Sequence, residues 1–140
     1  MSVKRVLFVC VHNTGRSQMA EAFARHLSDG SVVASSAGTV AGGPLNSAVV
    51  QAMREWGIDI SQQASKLISQ EMVDAADRVY TMGCAIDETC PAVFIPSEDW
   101  GLDDPAGQSM DVVRGIRDLV EERVRRMLWE LDAERARLPR

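Results

Sequence analysis

Lys4-Arg5-Val6-Leu7-Phe8-Val9 runs into Cys10-Val11-His12-Asn13-Thr14-Gly15-Arg16-Ser17, and that into Gln18-Met19-Ala20-Glu21-Ala22-Phe23-Ala24-Arg25-His26-Leu27. The first stretch turns from charge to an unbroken apolar run, which reads as a strand over residues 4–9. The last is rich in helix formers and predicts a helix over 17–27, closed by Asp29-Gly30. Between them stand a thiol, five residues, an arginine and a serine. A loop that wraps around a point and enters a helix N-terminus aims several backbone N–H groups at that point, which suits a tetrahedral oxyanion. Gly15 allows a close turn, and Arg16 offers a planar fork for two oxygens. The same positive surroundings favour the thiolate of Cys10, the nucleophilic form. Ser17 is placed to hydrogen-bond that sulfur, and Asn13 to brace the loop. The expected oxyanion-binding run is therefore Val11, His12, Asn13, Thr14, Gly15, Arg16 and Ser17. A buried structural cysteine at a strand end is the plain alternative; the added arginine, serine, glycine and helix weigh against it. A nucleotide P-loop is excluded, since no G-x-x-x-x-G-K-[ST] run occurs.

Outward from this stretch, strand-like and helix-like segments alternate, which predicts an α/β fold with a parallel sheet covered on both faces. Further strands are expected at 31–37, 77–82 and 92–95. Helices are expected at 46–56, with Asn46 as N-cap and Gly57 as stop, at 69–75, and from 110 to about 135. Residues 58–67 show no clear period. The 140 residues fit a single domain spanning 1–140, long enough to bury a core without staples. A net charge of −5 argues against a sequence-independent nucleic-acid binder. No apolar run reaches membrane-spanning length, and the short apolar stretch after Lys4 and Arg5 lacks a signal-peptide cleavage site. A cytoplasmic location follows as an expectation, and with it three cysteines that are free, catalytic or metal-bound. An odd number cannot form a fully paired framework. Nothing in the chain calls for an obligate assembly, so a monomer is expected.

Cys10-x5-Arg16-Ser17 with Gln18-Met19-Ala20-Glu21 resembles the low-molecular-weight protein tyrosine phosphatases, and more closely the thioredoxin-coupled arsenate reductases built on that fold. The resemblance continues through Ser35-Ser36-Ala37-Gly38-Thr39, Gly57-Ile58-Asp59-Ile60-Ser61 and Trp100-Gly101-Leu102-Asp103-Asp104-Pro105-Ala106-Gly107. It implies a flavodoxin-like three-layer sandwich with a four-stranded parallel sheet, ligands sitting outside the carboxyl ends of the strands.

Fold alone does not settle the chemistry. A phosphatase needs no thiol beyond Cys10, whereas a reductase needs two electrons, which a dithiol supplies on becoming a disulfide. Carried over from the reductases, Cys10 is the nucleophile, Cys84 the second thiol and Cys90 the third, with thioredoxin as the outside reductant. If residues 84–90 were helical, six residues of rise would separate the last two by about 9 Å, beyond the roughly 7 Å a disulfide tolerates between Cα atoms. Pairing of Cys84 with Cys90 therefore requires an irregular loop. Asp104, before Pro105, falls on the family's general acid, and Asp103 does not. Ala106-Gly107 stand where the phosphatases carry aromatic residues, a smaller mouth that suits arsenate or another small oxyanion. Asn13, Glu21 and Ser36 match positions that hold a potassium ion in some relatives, but Lys66 replaces an acidic ligand there, so neither metal nor cofactor is expected. His12 and His26 carry no assigned duty, and Trp100 is expected to pack under the acid loop. The expected activity is arsenate reduction; a phosphatase acting on phosphoesters is the alternative, and an oxyanion-sensing binding module a third.

Overall fold

The computed structural model describes residues 4–40, 42–83 and 97–137. Its elements in chain order are β1 (Lys4–Cys10), α1 (Arg16–Leu27), β2 (Val32–Gly38), α2 (Ser47–Arg54), α3 (Gln70–Ala75), β3 (Arg78–Thr81), β4 (Ser97–Asp99) and α4 (Met110–Arg137). The strands form one four-stranded sheet in the order β2-β1-β3-β4, every neighbouring pair parallel. The expected α/β sandwich with a four-stranded parallel sheet is what the chain adopts. Reversal of strand order at β1 makes its carboxyl end the topological switch point, where open α/β sheets bind ligands. Cys10 is the last residue of that strand.

Side chains of β1 alternate between two apolar clusters, as strand geometry requires. Val6, Phe8 and Cys10 join Met19 and Phe23 of α1, Val49 and Met53 of α2, and Val113, Val120 and Val124 of α4. Leu7 and Val9 join Val79 and, from α3, Val73. Phe8 pairs in register with Tyr80. Those two rings stack and Trp100 lies tilted against both, with centroids 5.2–5.8 Å apart, so three neighbouring strand ends are packed together beneath the rim. Burial, with the Glu98 carboxylate adding to it, raises the Tyr80 phenol to about 12.

Local signals act where expected at most boundaries. Asn46 Oδ1 caps α2 by accepting from Ala48 N at 2.9 Å and Val49 N at 3.3 Å, and Gly57 ends that segment at φ +76°. Ser69 caps α3 through Met72 N. After α1 the chain turns at Asp29 and Gly30, both at positive φ. The fourth strand departs from expectation. The predicted stretch 92–95 lies outside the described residues, and the sheet's fourth strand is the exposed Ser97–Asp99. An edge strand bonds on one side only, so it does not need the apolar run sought for a buried one. Its Asp99 works on the rim instead, accepting from Thr81 Oγ1 at 2.7 Å and Gly83 N at 2.8 Å.

Candidate active site

Backbone carbonyls explain the shape of the loop from Cys10 to Gly15. Cys10 O accepts from Thr39 N, Val11 O from Val40 N, Thr14 O from Asn46 N and Gly15 O from Met19 N. His12 O accepts from Ser65 Oγ, and Asn13 O from Gln18 Nε2. All six carbonyls are thus tied to the surrounding structure. In a planar peptide the N–H points opposite to the C=O, so the loop's amides turn to its concave side. Among the described residues, the N–H groups of residues 14–17 have no acceptor, which is the state of an anion nest at a helix N-terminus.

Cys10 lies at the floor of this nest as a free, buried thiol, 2 % exposed. Its Sγ accepts from Asn13 N at 3.2 Å and lies 2.8 Å from Ser17 Oγ. Ser17 is held in turn by its neighbours. Lys66 N can only donate, and it meets Asn13 Oδ1 at 2.9 Å. Asn13 Nδ2 must then be the atom 2.7 Å from Ser17 Oγ, donating to it. Ser17 Oγ keeps its own hydrogen to give, and toward a Cys10 thiolate, which has none, it is the donor of the pair. Asn13 itself sits at φ +56°, a strained conformation held by these bonds.

Arg16 opens α1 and ties the rim together. Its Nη1 donates to Met82 O at 2.6 Å and Leu102 O at 2.8 Å, joining the chain ends after β3 and β4 to the anion loop. A Cβ on Gly83 would stand 2.9 Å from that nitrogen, and its φ is +119°. Glycine is therefore the residue that lets the chain leave β3 past the guanidinium. Cys84 follows immediately; Cys84 and Cys90 lie outside the described residues.

Beyond Leu102 the chain brings the exposed Asp103 and Asp104 to the same rim. Asp104 Oδ1 accepts from Ala106 N at 3.0 Å. Pro105 packs onto the anion loop so closely that a Cβ on Gly15 would come within 2.9 Å of its Cγ. Trp100 is buried beneath, as expected.

The Asn13–Glu21–Ser36 group stands behind the loop. Glu21, 3 % exposed, accepts from Ser36 Oγ at 2.7 Å and pairs with Arg25 at 3.1 Å. The Lys66 ammonium is 3.9 Å from it and donates to Ala64 O at 3.0 Å. Among the described residues no group of three His, Cys, Asp or Glu is placed to hold a metal, and no helix is long and apolar enough to cross a membrane. His12 and His26 are exposed.

Three participants were given no role by the sequence reading, although Gln18 and Gly38 stand in motifs that carry the resemblance. Gln18 is fully buried yet polar, Gly38 abuts the anion loop, and residues 61–68 run beside the end of β2 through Gly38 N to Lys66 O and Ile68 N to Gly38 O, both 2.8 Å. A cavity of about 690 Å³ opens beside these last residues, lined by Pro44, Leu45, Gln63, Ala64 and Ser65 among others. Neither Cys10 nor Arg16 lines it.

A low molecular weight phosphotyrosine protein phosphatase family model matches residues 5–137. The chain belongs to that family. Within it, the chain is similar to a glutaredoxin arsenate reductase of Synechocystis sp., 38% identical over 133 residues that cover 92% of this chain and 99% of the relative. Among solved structures, an arsenate reductase in the phosphate binding state superposes with a TM-score of 0.82 at 38% identity, covering 91% of this chain and 98% of that one. The YwlE arginine phosphatase of Geobacillus stearothermophilus superposes at 0.86 with 28% identity, covering 98% of each chain. A thioredoxin-dependent arsenate reductase of Corynebacterium glutamicum gives 0.79 at 31% identity, covering 94% of this chain and 63% of that one.

Proposed function

We propose that the chain is a single-domain, monomeric, cytoplasmic arsenate reductase that works through Cys10, Cys84 and Cys90 and is regenerated by thioredoxin. The observation that carries the reading is the loop of residues 10–15, whose carbonyls are all bound by surrounding groups, around a buried sulfur that accepts from Asn13 N and shares a hydrogen bond with Ser17 Oγ. Such a nest holds a small oxyanion by its amides, with the remaining guanidinium nitrogens of Arg16 gripping two oxygens.

The Cys10 thiolate attacks arsenic, and an S–As bond forms. One oxygen leaves as water, its proton supplied by Asp104. The Cys84 thiolate then attacks Cys10 Sγ. The S–As bond breaks, arsenic keeps the electron pair and departs as arsenite, and a Cys10–Cys84 disulfide remains. Cys90 attacks Cys84 and frees Cys10 as a thiolate. The resulting Cys84–Cys90 disulfide is reduced by the thioredoxin dithiol, which is itself oxidised. Support for the relay is the presence of both further cysteines and the path of the chain, which reaches Gly83 beside Arg16 one residue before Cys84. Three cysteines favour thioredoxin as the reductant over a glutaredoxin system.

The likeness to an arginine phosphatase keeps hydrolysis of phosphorylated substrates as the second reading, since Cys10, Arg16 and Asp104 would serve it unchanged. Cys84→Ser and Cys90→Ser separate the two. Under the reductase reading, each variant loses multi-turnover arsenate reduction with thioredoxin and keeps aryl-phosphate hydrolysis. Arsenate alone, without reductant, consumes two of the three thiols of the parent chain. Unchanged turnover in both variants would refute the relay.

A further inference from the structure

We infer that Gln18 is a positioning residue for the Cys10 nucleophile, acting through Asn13 and Ser17; the inference deepens the reading of Cys10 given above and rests on it. Gln18 is fully buried on α1, where a glutamine with no task would cost desolvation of an amide. Its Nε2 lies 2.9 Å from Asn13 O, Asn13 Oδ1 and Ala64 O alike. All three are acceptors, so the orientation of the amide is determined, and its Oε1 accepts from Gln63 Nε2 at 2.5 Å. Two hydrogens serve three oxygens, one of them shared within Asn13.

The consequence is specific to the sulfur. By holding both oxygens of Asn13, Gln18 keeps that residue at φ +56°. In that conformation its N–H reaches Cys10 Sγ and its Nδ2 reaches Ser17 Oγ. Both hydrogen bonds to the sulfur therefore depend on Asn13, one directly and one through Ser17. Gln18 makes no hydrogen bond to the sulfur itself, yet through Asn13 it sets the position of both of the sulfur's partners. Gln63 and Ala64 extend the same support to the 61–68 segment, from which Lys66 N completes the hold on Asn13 Oδ1.

Gln18→Met keeps length and volume but removes the donors. We expect kcat for arsenate reduction to fall about tenfold, the effect of losing roughly one well-placed hydrogen bond, with little change in KM. The pH midpoint for alkylation of Cys10, followed on its own peptide by mass spectrometry, should rise. A residue that merely fills the core would lower the melting temperature and leave that midpoint in place, and this result would overturn the inference. Gln63→Ala, at a half-buried position, removes only the bond to Gln18 Oε1 and leaves the Nε2 bonds in place. It should shift the midpoint in the same direction by a smaller amount, and it decides the matter if Gln18→Met does not fold; an unmoved midpoint would then count against the inference. Cys10→Ser distinguishes the two levels. Arsenate turnover surviving in Cys10→Ser overturns the reading of function, whereas a dead Cys10→Ser with an unmoved midpoint in Gln18→Met overturns only the role of Gln18.

Discussion

Gly38→Ala tests whether the end of β2 sets the shape of the anion loop. A Cβ there would lie 2.7 Å from Val11 O, 2.9 Å from Asn13 N and 2.9 Å from His12 C. All three are backbone atoms, so no side chain can swing away. The closest falls about 0.7 Å short of the 3.4 Å at which ordinary contact begins. One of two parts must yield. If the loop moves, Asn13 N withdraws from Cys10 Sγ, a bond already 3.2 Å long. If β2 moves, the bonds of Gly38 to Lys66 O and Ile68 N are strained, and Lys66 N loses its hold on Asn13 Oδ1. Either path ends at Asn13. Overpacking of this kind costs about 1–3 kcal/mol, or roughly 3–10 °C in melting temperature for a chain of this size. A displacement near 0.7 Å at reacting groups should lower the arsenate single-turnover rate by about 10- to 100-fold. Thermal unfolding and single-turnover kinetics on the same preparation read both quantities. Gly115→Ala is the control: it lies in α4 with nothing within 4 Å of its Cβ, and should stabilise the chain by about 0.5–1 kcal/mol with activity intact. A Gly38→Ala protein that melts and reacts like its parent would show that the loop is shaped by something else.

Asp104→Ala should slow both arsenate reduction and aryl-phosphate hydrolysis by about 10²-fold, the usual worth of a general acid. Asp103→Ala, one residue earlier and also exposed, should leave both near the parent rate; equal effects would move the acid elsewhere. The clamp between α2 and α4 should show in the pH dependence of stability. Hydrogen bonds from Arg114 and then Arg117 hold Glu55 at about 2, against an ordinary 4.5. A lowered folded-state pKa means that the contribution is present above the unfolded value and lost as pH falls from about 4.5 towards 2. Melting temperatures of Glu55→Gln should therefore lie below the parent at neutral pH and converge with it near pH 2, with a smaller gap in high salt.

What could be read from the chain, and what could not, divides by the range of the interaction. Asn46, Gly57 and Ser69 act on residues two to four positions away, so their effects were legible as caps and stops. The first strand was legible over 4–9, from the apolar run Val6–Val9, because a central parallel strand must be apolar on both faces. Ser97–Asp99 was missed because the same criterion has no purchase on an edge strand. Residues 58–67 lacked a period because they belong to no regular element; they serve by single backbone bonds to Gly38 and Asn13. The candidate site has the same two layers. Thiol, glycine, arginine and serine are chain neighbours, and local chemistry makes their common purpose visible. Gln18 sits among them, but one partner, Ala64, is 46 positions distant, and Met82 and Leu102 meet Arg16 across 66 and 86. Those contacts exist only once parallel strands have brought their carboxyl ends to one rim. The candidate nucleophile is therefore legible in eight consecutive residues. Its geometry belongs to the whole sheet, because five separate segments must each present a hydrogen-bonding group within about 3 Å of the loop.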